Sequence, residues 1–113
     1  MVDGDEQRQD REARVMHPRG RLDVAVAPAF GEQVKHLLGK GETKLVIDLG
    51  GVDFVDSSGL GTILVVRKLA QRAGGDIRLV RPPAQFQKLL ELTSLIRVMP
   101  VYPTVEDALA DFD

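Results

Sequence analysis

Lys44-Leu45-Val46-Ile47-Asp48-Leu49 runs through Gly50-Gly51-Val52-Asp53-Phe54-Val55 into Asp56-Ser57-Ser58-Gly59-Leu60-Gly61. The first six residues are apolar, rich in β-branched side chains and short, so they predict a buried central strand rather than a helix. Gly50 to Asp56 reads as a loop whose Val52, Phe54 and Val55 pack inward. Ser57 to Ala73 reads as a helix. Its Leu60, Ile63, Leu64, Val65, Val66 and Leu69 cover more than one face, which predicts deep packing. Arg67, Lys68 and Arg72 fall in its C-terminal half, where positive charge complements the helix dipole. Gly74-Gly75 ends it.

Outward from this strand–helix unit the pattern repeats. Ala27 to Leu38 predicts a helix, with Pro28 in the first turn and Phe30, Val34, Leu37 and Leu38 on one face. Gly39 and Gly41 stop it. Asp76-Ile77-Arg78-Leu79-Val80 alternates as a strand. Pro82 and Pro83 lead into a helix carrying Phe86, Leu89 and Leu90. Ile96 to Val101 predicts another strand. Thr104 opens a last helix through a weak capping box with Asp107, and Val105, Ala108, Leu109 and Phe112 form its apolar stripe. Upstream, Ala13 to Met16 and Leu22-Asp23-Val24 are weak strands separated by His17-Pro18-Arg19-Gly20. Pro18 cannot donate to a ladder, so an edge position or a bulge is expected there. Strands separated by helices predict parallel neighbours with right-handed crossovers, and the N-terminal pair predicts an antiparallel edge. Residues 1–12 hold five acids (Asp3, Asp5, Glu6, Asp10, Glu12) and read as a charged N-terminal segment or an exposed edge strand. Residues 13–113 read as a single domain.

Composition narrows the function. The chain has 113 residues, no Cys, two His, and 15 Lys+Arg against 17 Asp+Glu for a net charge of −2. Disulfides and thiolate metal sites are excluded, and His17 and His36 have no carboxylate cluster around them. The slight acidity argues against direct nucleic-acid binding. Tyr102 and four Phe are the only aromatics, too few for base stacking. No apolar run approaches a membrane span, and the charged start is no secretory signal. A cytoplasmic domain that needs no metal or cofactor is expected.

The most informative stretch is Asp53 to Gly61. Asp56, Ser57 and Ser58 are all good N-cap residues, although a helix needs one. Gly59 and Gly61 in the first turn each cost about 1 kcal/mol against Ala, so a close approach to the backbone is expected at both. A nucleophilic Ser57 would need a base within reach. His36 lies on the solvent side of its helix, His17 sits in the irregular edge, and there is no G-x-S-x-G elbow. A phosphate cradle would need the Lys of a P-loop, which is missing, and Asp53 and Asp56 would repel a free phosphate. A phosphorylation switch fits better. An exposed serine at a helix start is accessible to a kinase, and its phosphate would add a charge of about −1.5 to −2. The helix N-terminus tolerates that charge, whereas a partner docked over Asp53 and Asp56 would not.

Asp56-Ser57-Ser58-Gly59-Leu60-Gly61 behind an apolar strand resembles the signature of STAS-domain anti-sigma factor antagonists. Gly20-Arg21-Leu22-Asp23 resembles the Gly-x-Leu-Asp segment of that family, and the likeness spans roughly residues 13–112. Pro18, where the family has an apolar strand residue, and the charged residues 1–12 depart from it. The resemblance implies an α/β fold: a small mixed sheet of about four to five strands with about four helices packed mainly on one face. It also implies partner switching in bacteria. The unphosphorylated antagonist binds an anti-sigma factor that is itself an ATP-dependent serine kinase, and a sigma factor is released. The kinase phosphorylates the antagonist, which lets go, and a PP2C-type phosphatase resets it. By this likeness Ser57 is the phosphoacceptor with Ser58 as fallback, and Asp23, Asp56, Ser58, Gly59 and Leu60 belong to the partner-binding surface. Two rivals remain: a STAS scaffold subunit of a signalling or lipid-transport complex that is never phosphorylated, and a small hydrolase using Ser57.

Overall fold

The computed structural model describes residues 13–99 and 101–112. The charged segment at residues 1–12 lies outside the described residues. In chain order the elements are β1 (Arg14–Met16), β2 (Gly20–Leu22), α1 (Ala27–Gly39), β3 (Lys44–Asp48), β4 (Val52–Val55), α2 (Ser57–Arg72), β5 (Asp76–Val80), α3 (Ala84–Leu92), a 3-10 turn (Leu95–Arg97), β6 (Val101–Tyr102) and α4 (Val105–Ala110). The α/β class and the positions of all four helices match the sequence reading.

The sheet departs from it at three places. β1 and β2 do not pair with each other: β1 lies parallel to β3, and β2 lies parallel to β4. The expected antiparallel edge is absent from the described residues. Gly50 to Asp56 is not all loop. After the bend at Leu49–Gly51 the chain resumes as β4, so β3–β4 and β1–β2 are two interrupted strands running side by side. The N-terminal interruption spans residues 17–19 around Pro18, and beyond it the β2–β4 register shifts between Gly20 and Arg21, with Asp53 the extra residue on β4. Finally, the strand expected over Ile96 to Val101 does not form as such: Leu95–Arg97 is a 3-10 turn, and the pairing residues are Val101–Tyr102, against Leu79–Val80. Val98 and Met99, adjacent and both apolar, break the two-residue alternation of a half-buried strand, and the chain turns instead, the Arg97 N–H donating to the Ser94 carbonyl at 3.2 Å.

The four-stranded sheet has the order β1-β3-β5-β6, with β2-β4 extending one side. β3 lies between two neighbours, as its apolar composition demands, and Leu45, Val46, Ile47 and Leu49 are fully buried. Alternation along the strands builds two cores. Leu45, Ile47, Ile77 and Leu79 face α1, α2 and α3, meeting Phe30, Val34, Ile63, Val66, Ala70, Phe86 and Leu90. Val46 and Val80 face the other way, onto Ala108 of α4 with Val105, Leu109 and Phe112. Three helices thus cover one face and the short α4 covers part of the other. Thr104 caps α4 as expected, its hydroxyl accepting the Asp107 N–H at 3.0 Å.

α2 is less immersed than its composition predicts. Gly59, Ile63, Val66 and Ala70 form its buried stripe, whereas Val65 is 54% exposed. Phe54 is also only half-buried, its ring lying 4.5 Å from the Arg21 guanidinium.

Candidate functional site

Asp56 follows the last residue of β4 and is the N-cap of α2, in extended backbone geometry. That conformation turns its carboxylate back over the helix start. One oxygen accepts the Gly59 N–H at 2.9 Å, and the other accepts the Val24 N–H at 3.1 Å. The Asp56 N–H donates to the Leu22 carbonyl at 3.2 Å, and its own carbonyl accepts the Leu60 N–H at 2.9 Å. One residue therefore joins the end of β2, the turn into α1 and the first turn of α2. The Asp56 carboxylate is the structural cap, so the three-in-a-row N-cap pattern resolves into one cap and two serines.

Gly59 explains why the helix can begin there. A Cβ at this position would stand 2.4 Å from the Leu22 carbonyl oxygen and 2.9 Å from Val55 Cγ1. The backbone approach expected from the glycine is real, and it comes from the neighbouring strand. At Gly61 the expectation fails, because an added Cβ would meet nothing within 4 Å.

Ser57 is exposed and Ser58 is half-buried, so the two hydroxyls are not equivalent. Leu60 is half-buried against the main core. Asp53 is exposed on β4. Asp23 lies in the turn between β2 and α1, where its carboxylate accepts the Ala25 N–H at 3.1 Å and stands 3.5 Å from Arg21. Val24, next in the chain, is tied to Asp56, so the turn carrying Asp23 is brought beside the α2 start. His36 is exposed, as expected. His17 is largely exposed too, but its Nδ1 stands 3.3 Å from the buried Asp48 carboxylate. That carboxylate also accepts from Gly50 N–H at 2.9 Å and Arg81 at 2.7 Å, holding the bend between β3 and β4.

Sequence reasoning missed Gln85. Its amide accepts the Val55 N–H at 3.0 Å and donates to the Val55 carbonyl at 2.8 Å. It occupies the open edge of β4 and fixes the residue directly before Asp56. A lone Gln after two prolines carries no local signal of a contact 30 residues away.

A second polar group lies on the α4 side. Arg78 and Tyr102 both donate to the Asp111 carboxylate. The hydrogen bond from Tyr102, helped by the Arg78 charge, holds the Asp111 carboxyl below its ordinary value. Burial, with that same carboxylate as acceptor, raises the Tyr102 phenol. Arg78 also covers Phe112 at 4.3 Å, so this corner fastens α4 to the sheet. Among the described residues no group of three or more His, Cys, Asp or Glu could hold a metal, and no helix is long and apolar enough to cross a membrane.

Comparison with known proteins gives a consistent picture. The STAS domain profile matches residues 6–108. The crystal structure of TM1081 from Thermotoga maritima superposes with a TM-score of 0.82 at 30% identity, covering 87% of this chain and 85% of that one. The anti-sigma-B factor antagonist of Bacillus subtilis is 32% identical over 76 residues, 67% of this chain and 69% of that protein. The Bacillus cell fate determinant SpoIIAA shares the fold at lower identity. Its unphosphorylated form gives a TM-score of 0.69 at 20% identity over 98% of this chain and 91% of that one. Its phosphorylated form gives 0.70 at 23% over 91% and 93%.

Proposed function

The chain belongs to the STAS domain family, and from that membership we propose that it is an anti-sigma factor antagonist switched at Ser57. The unphosphorylated form binds an ATP-loaded serine-kinase anti-sigma factor and so frees a sigma factor. The kinase then moves the γ-phosphoryl group of ATP onto the Ser57 hydroxyl oxygen. The O–H bond breaks, ADP leaves, and the proton passes to solvent or a kinase base. The modified chain dissociates, and a PP2C-type phosphatase hydrolyses the ester back to serine and inorganic phosphate. The chain itself catalyses nothing in this cycle. The exchange takes place in the cytoplasm, where sigma factors work.

One observation carries the choice of residue: Ser57 is exposed at the first position of α2, while Ser58 is half-buried. A kinase must surround the hydroxyl it modifies. Neither the Asp56 clamp nor the Gly59 contact involves the Ser57 side chain. A phosphate there adds a charge of about −1.5 to −2 at a helix end that favours anions. The domain keeps its fold while its surface gains negative charge. Turning a partner from 99:1 bound to 1:99 needs about 5.5 kcal/mol, and like charges set against each other across an interface cost several kcal/mol.

The test mixes the chain with candidate kinase-type anti-sigma factors and ATP. Intact mass gains one phosphate, and Ser57→Ala gains none. Ser57→Ala keeps binding the kinase, whereas Ser57→Asp binds poorly. Tight binding by Ser57→Asp would defeat the switch. A phosphate found on Ser58 would move the site and leave the mechanism.

A further inference from the structure

We infer that the connection from α3 to β6 is a second docking surface, which takes an acidic segment of another protein. Leu92 and Val98 make its apolar contacts, and Lys88 and Arg97 its charged ones. The surface does not rest on the antagonist role proposed above, and it works in either state of Ser57.

Leu92 is the last residue of α3 and is 73% exposed, the most of any large apolar side chain among the described residues. Val98 follows the 3-10 turn and is 60% exposed. A single exposed apolar residue is ordinary, but here two share one short connection. Leu95 and Ile96, between them, pack against the main core, so both stand out from a fixed base. Val98 also lines a cleft of about 390 Å³, with Ile96, Met99 and Val101 as its other apolar walls. That volume falls within the range of about 300–1,000 Å³ that accepts bound groups. Exposed apolar surface beside a cleft, rimmed by polar side chains, is the form of an interaction site.

The charges on the rim choose the occupant. Lys88 lies one turn before Leu92 on the same face of α3, and Arg97 precedes Val98 in the chain. Both are exposed, and neither forms an ion pair among the described residues. The neighbouring acids are engaged elsewhere. Glu91 lies about 100° round the helix from Leu92 and accepts from Gln87 at 3.1 Å. Asp111, at the cleft, accepts from Arg78 and Tyr102. A second copy of this chain would set one cationic rim against another, and like charges across an interface are costly. Carboxylates around an apolar side chain complement the surface instead.

The surface also stands apart from the serine. Gln85, in the first turn of α3, is bound to Val55, the residue before Asp56. The near end of α3 therefore belongs to the Ser57 corner. Leu92 lies about 10 Å further along the axis, at 1.5 Å per residue, and Val98 follows beyond the helix end. That distance exceeds the screening length of about 8 Å in physiological salt. A partner held at Leu92 and Val98 stays held when Ser57 gains or loses a phosphate.

The test uses the full chain and a dye-labelled synthetic peptide with two leucines set among glutamates. Its control carries lysines in place of the glutamates. Anisotropy gives affinity, amide chemical shifts give the site, and the thermal midpoint reports folding for each variant. The acidic peptide binds with a Kd below about 1 mM, the lysine peptide at least tenfold more weakly, and the shifts centre on Leu92 to Tyr102. Leu92→Ser, Val98→Ser and Arg97→Glu keep the midpoint and each weaken binding about fivefold or more. Lys88→Glu weakens it and flattens its salt dependence. Ser57→Asp binds the peptide as the wild type does. The surface is overturned if the acidic peptide fails to bind or the lysine peptide binds equally well. It is overturned too if the Leu92, Val98 and Arg97 variants bind unchanged, or if Ser57→Asp loses the peptide. Sedimentation of the wild type as a dimer that Val98→Ser dissociates would assign the surface to a second copy and refute the acidic partner.

Discussion

Removing the Gln85 amide should loosen the strand that presents Asp56, by an amount the geometry sets. Among the described residues β4 pairs only with β2, so its second edge is open. Val55 is fully buried, and both of its outward backbone groups are bound to Gln85, at 3.0 and 2.8 Å. The primary amide matches the donor–acceptor pair of a peptide unit and stands in for a missing strand. Each net hydrogen bond is worth about 1 kcal/mol, and leaving a buried partner unsatisfied costs about 1–3 kcal/mol. Gln85→Met keeps most of the volume and loses both bonds, so it should destabilise by about 2–3 kcal/mol. For a domain of this size that is a fall in thermal midpoint of about 10 °C. Gln85→Glu keeps an acceptor for the Val55 N–H but sets a carboxylate oxygen against the Val55 carbonyl, so it should be no milder. Urea unfolding gives the stability, and amide hydrogen exchange at Val55 gives the local effect. The reasoning is refuted if Gln85→Met changes stability by less than about 0.5 kcal/mol and Val55 exchanges as slowly as in wild type.

Other perturbations follow the same logic. Gly59→Ala puts a methyl group 2.4 Å from the Leu22 carbonyl oxygen. α2 must then shift off β2, and a loss of about 1–3 kcal/mol in urea unfolding is expected despite the better helix propensity of Ala; a stabilised variant would contradict the close approach. The corner formed by Arg78, Tyr102 and Asp111 should make stability pH-dependent at both extremes. The Asp111 carboxyl is held low by Tyr102, so its contribution is present above the ordinary carboxylate pKa of about 3.9 and lost as pH falls through the lowered value. The Tyr102 phenol is raised by burial, so its contribution is present below about pH 10 and lost as pH rises through the raised value. Thermal midpoints of wild type and Asp111→Asn, measured from neutral pH into acid, should converge as pH falls, and parallel curves would exclude the contribution.

What could be read from the sequence divides along a physical line. Helices announce themselves locally, through caps, apolar spacing and glycine stops, and all four were legible. β3 was legible because burial on both faces leaves a continuous apolar run. β4 was not, because its Val-Asp-Phe-Val has neither a continuous run nor a clean alternation, and its first two neighbours are glycines. Its strand state comes from pairing with Gly20–Leu22, more than thirty residues upstream, and from Gln85, thirty residues downstream. The same holds for the parallel arrangement of β1 and β2, since two short weak strands joined by a tight link look like a hairpin until each finds a better partner. At the site, Asp56 and Gly59 were legible as a cap and a close approach. The partners that give them meaning, Val24 N–H and the Leu22 carbonyl, lie on another element.

The two glycines of the first α2 turn differ in what the fold asks of them. Gly59 faces inward, and its cost is returned by letting the helix sit against β2 and by freeing its N–H for the Asp56 carboxylate. Gly61 faces away from β2, and among the described residues nothing stands within 4 Å of a Cβ placed there. Asp56 satisfies both of its oxygens with backbone N–H groups, so a charge added at Ser57 does not compete for an interaction the fold depends on. The inner face of α2 can therefore stay constant while negative charge is added on the outer face. A regulatory module needs that separation: if phosphorylation disturbed the Gly59 side, releasing the partner would mean unfolding the domain, and the phosphatase would have no folded substrate to restore.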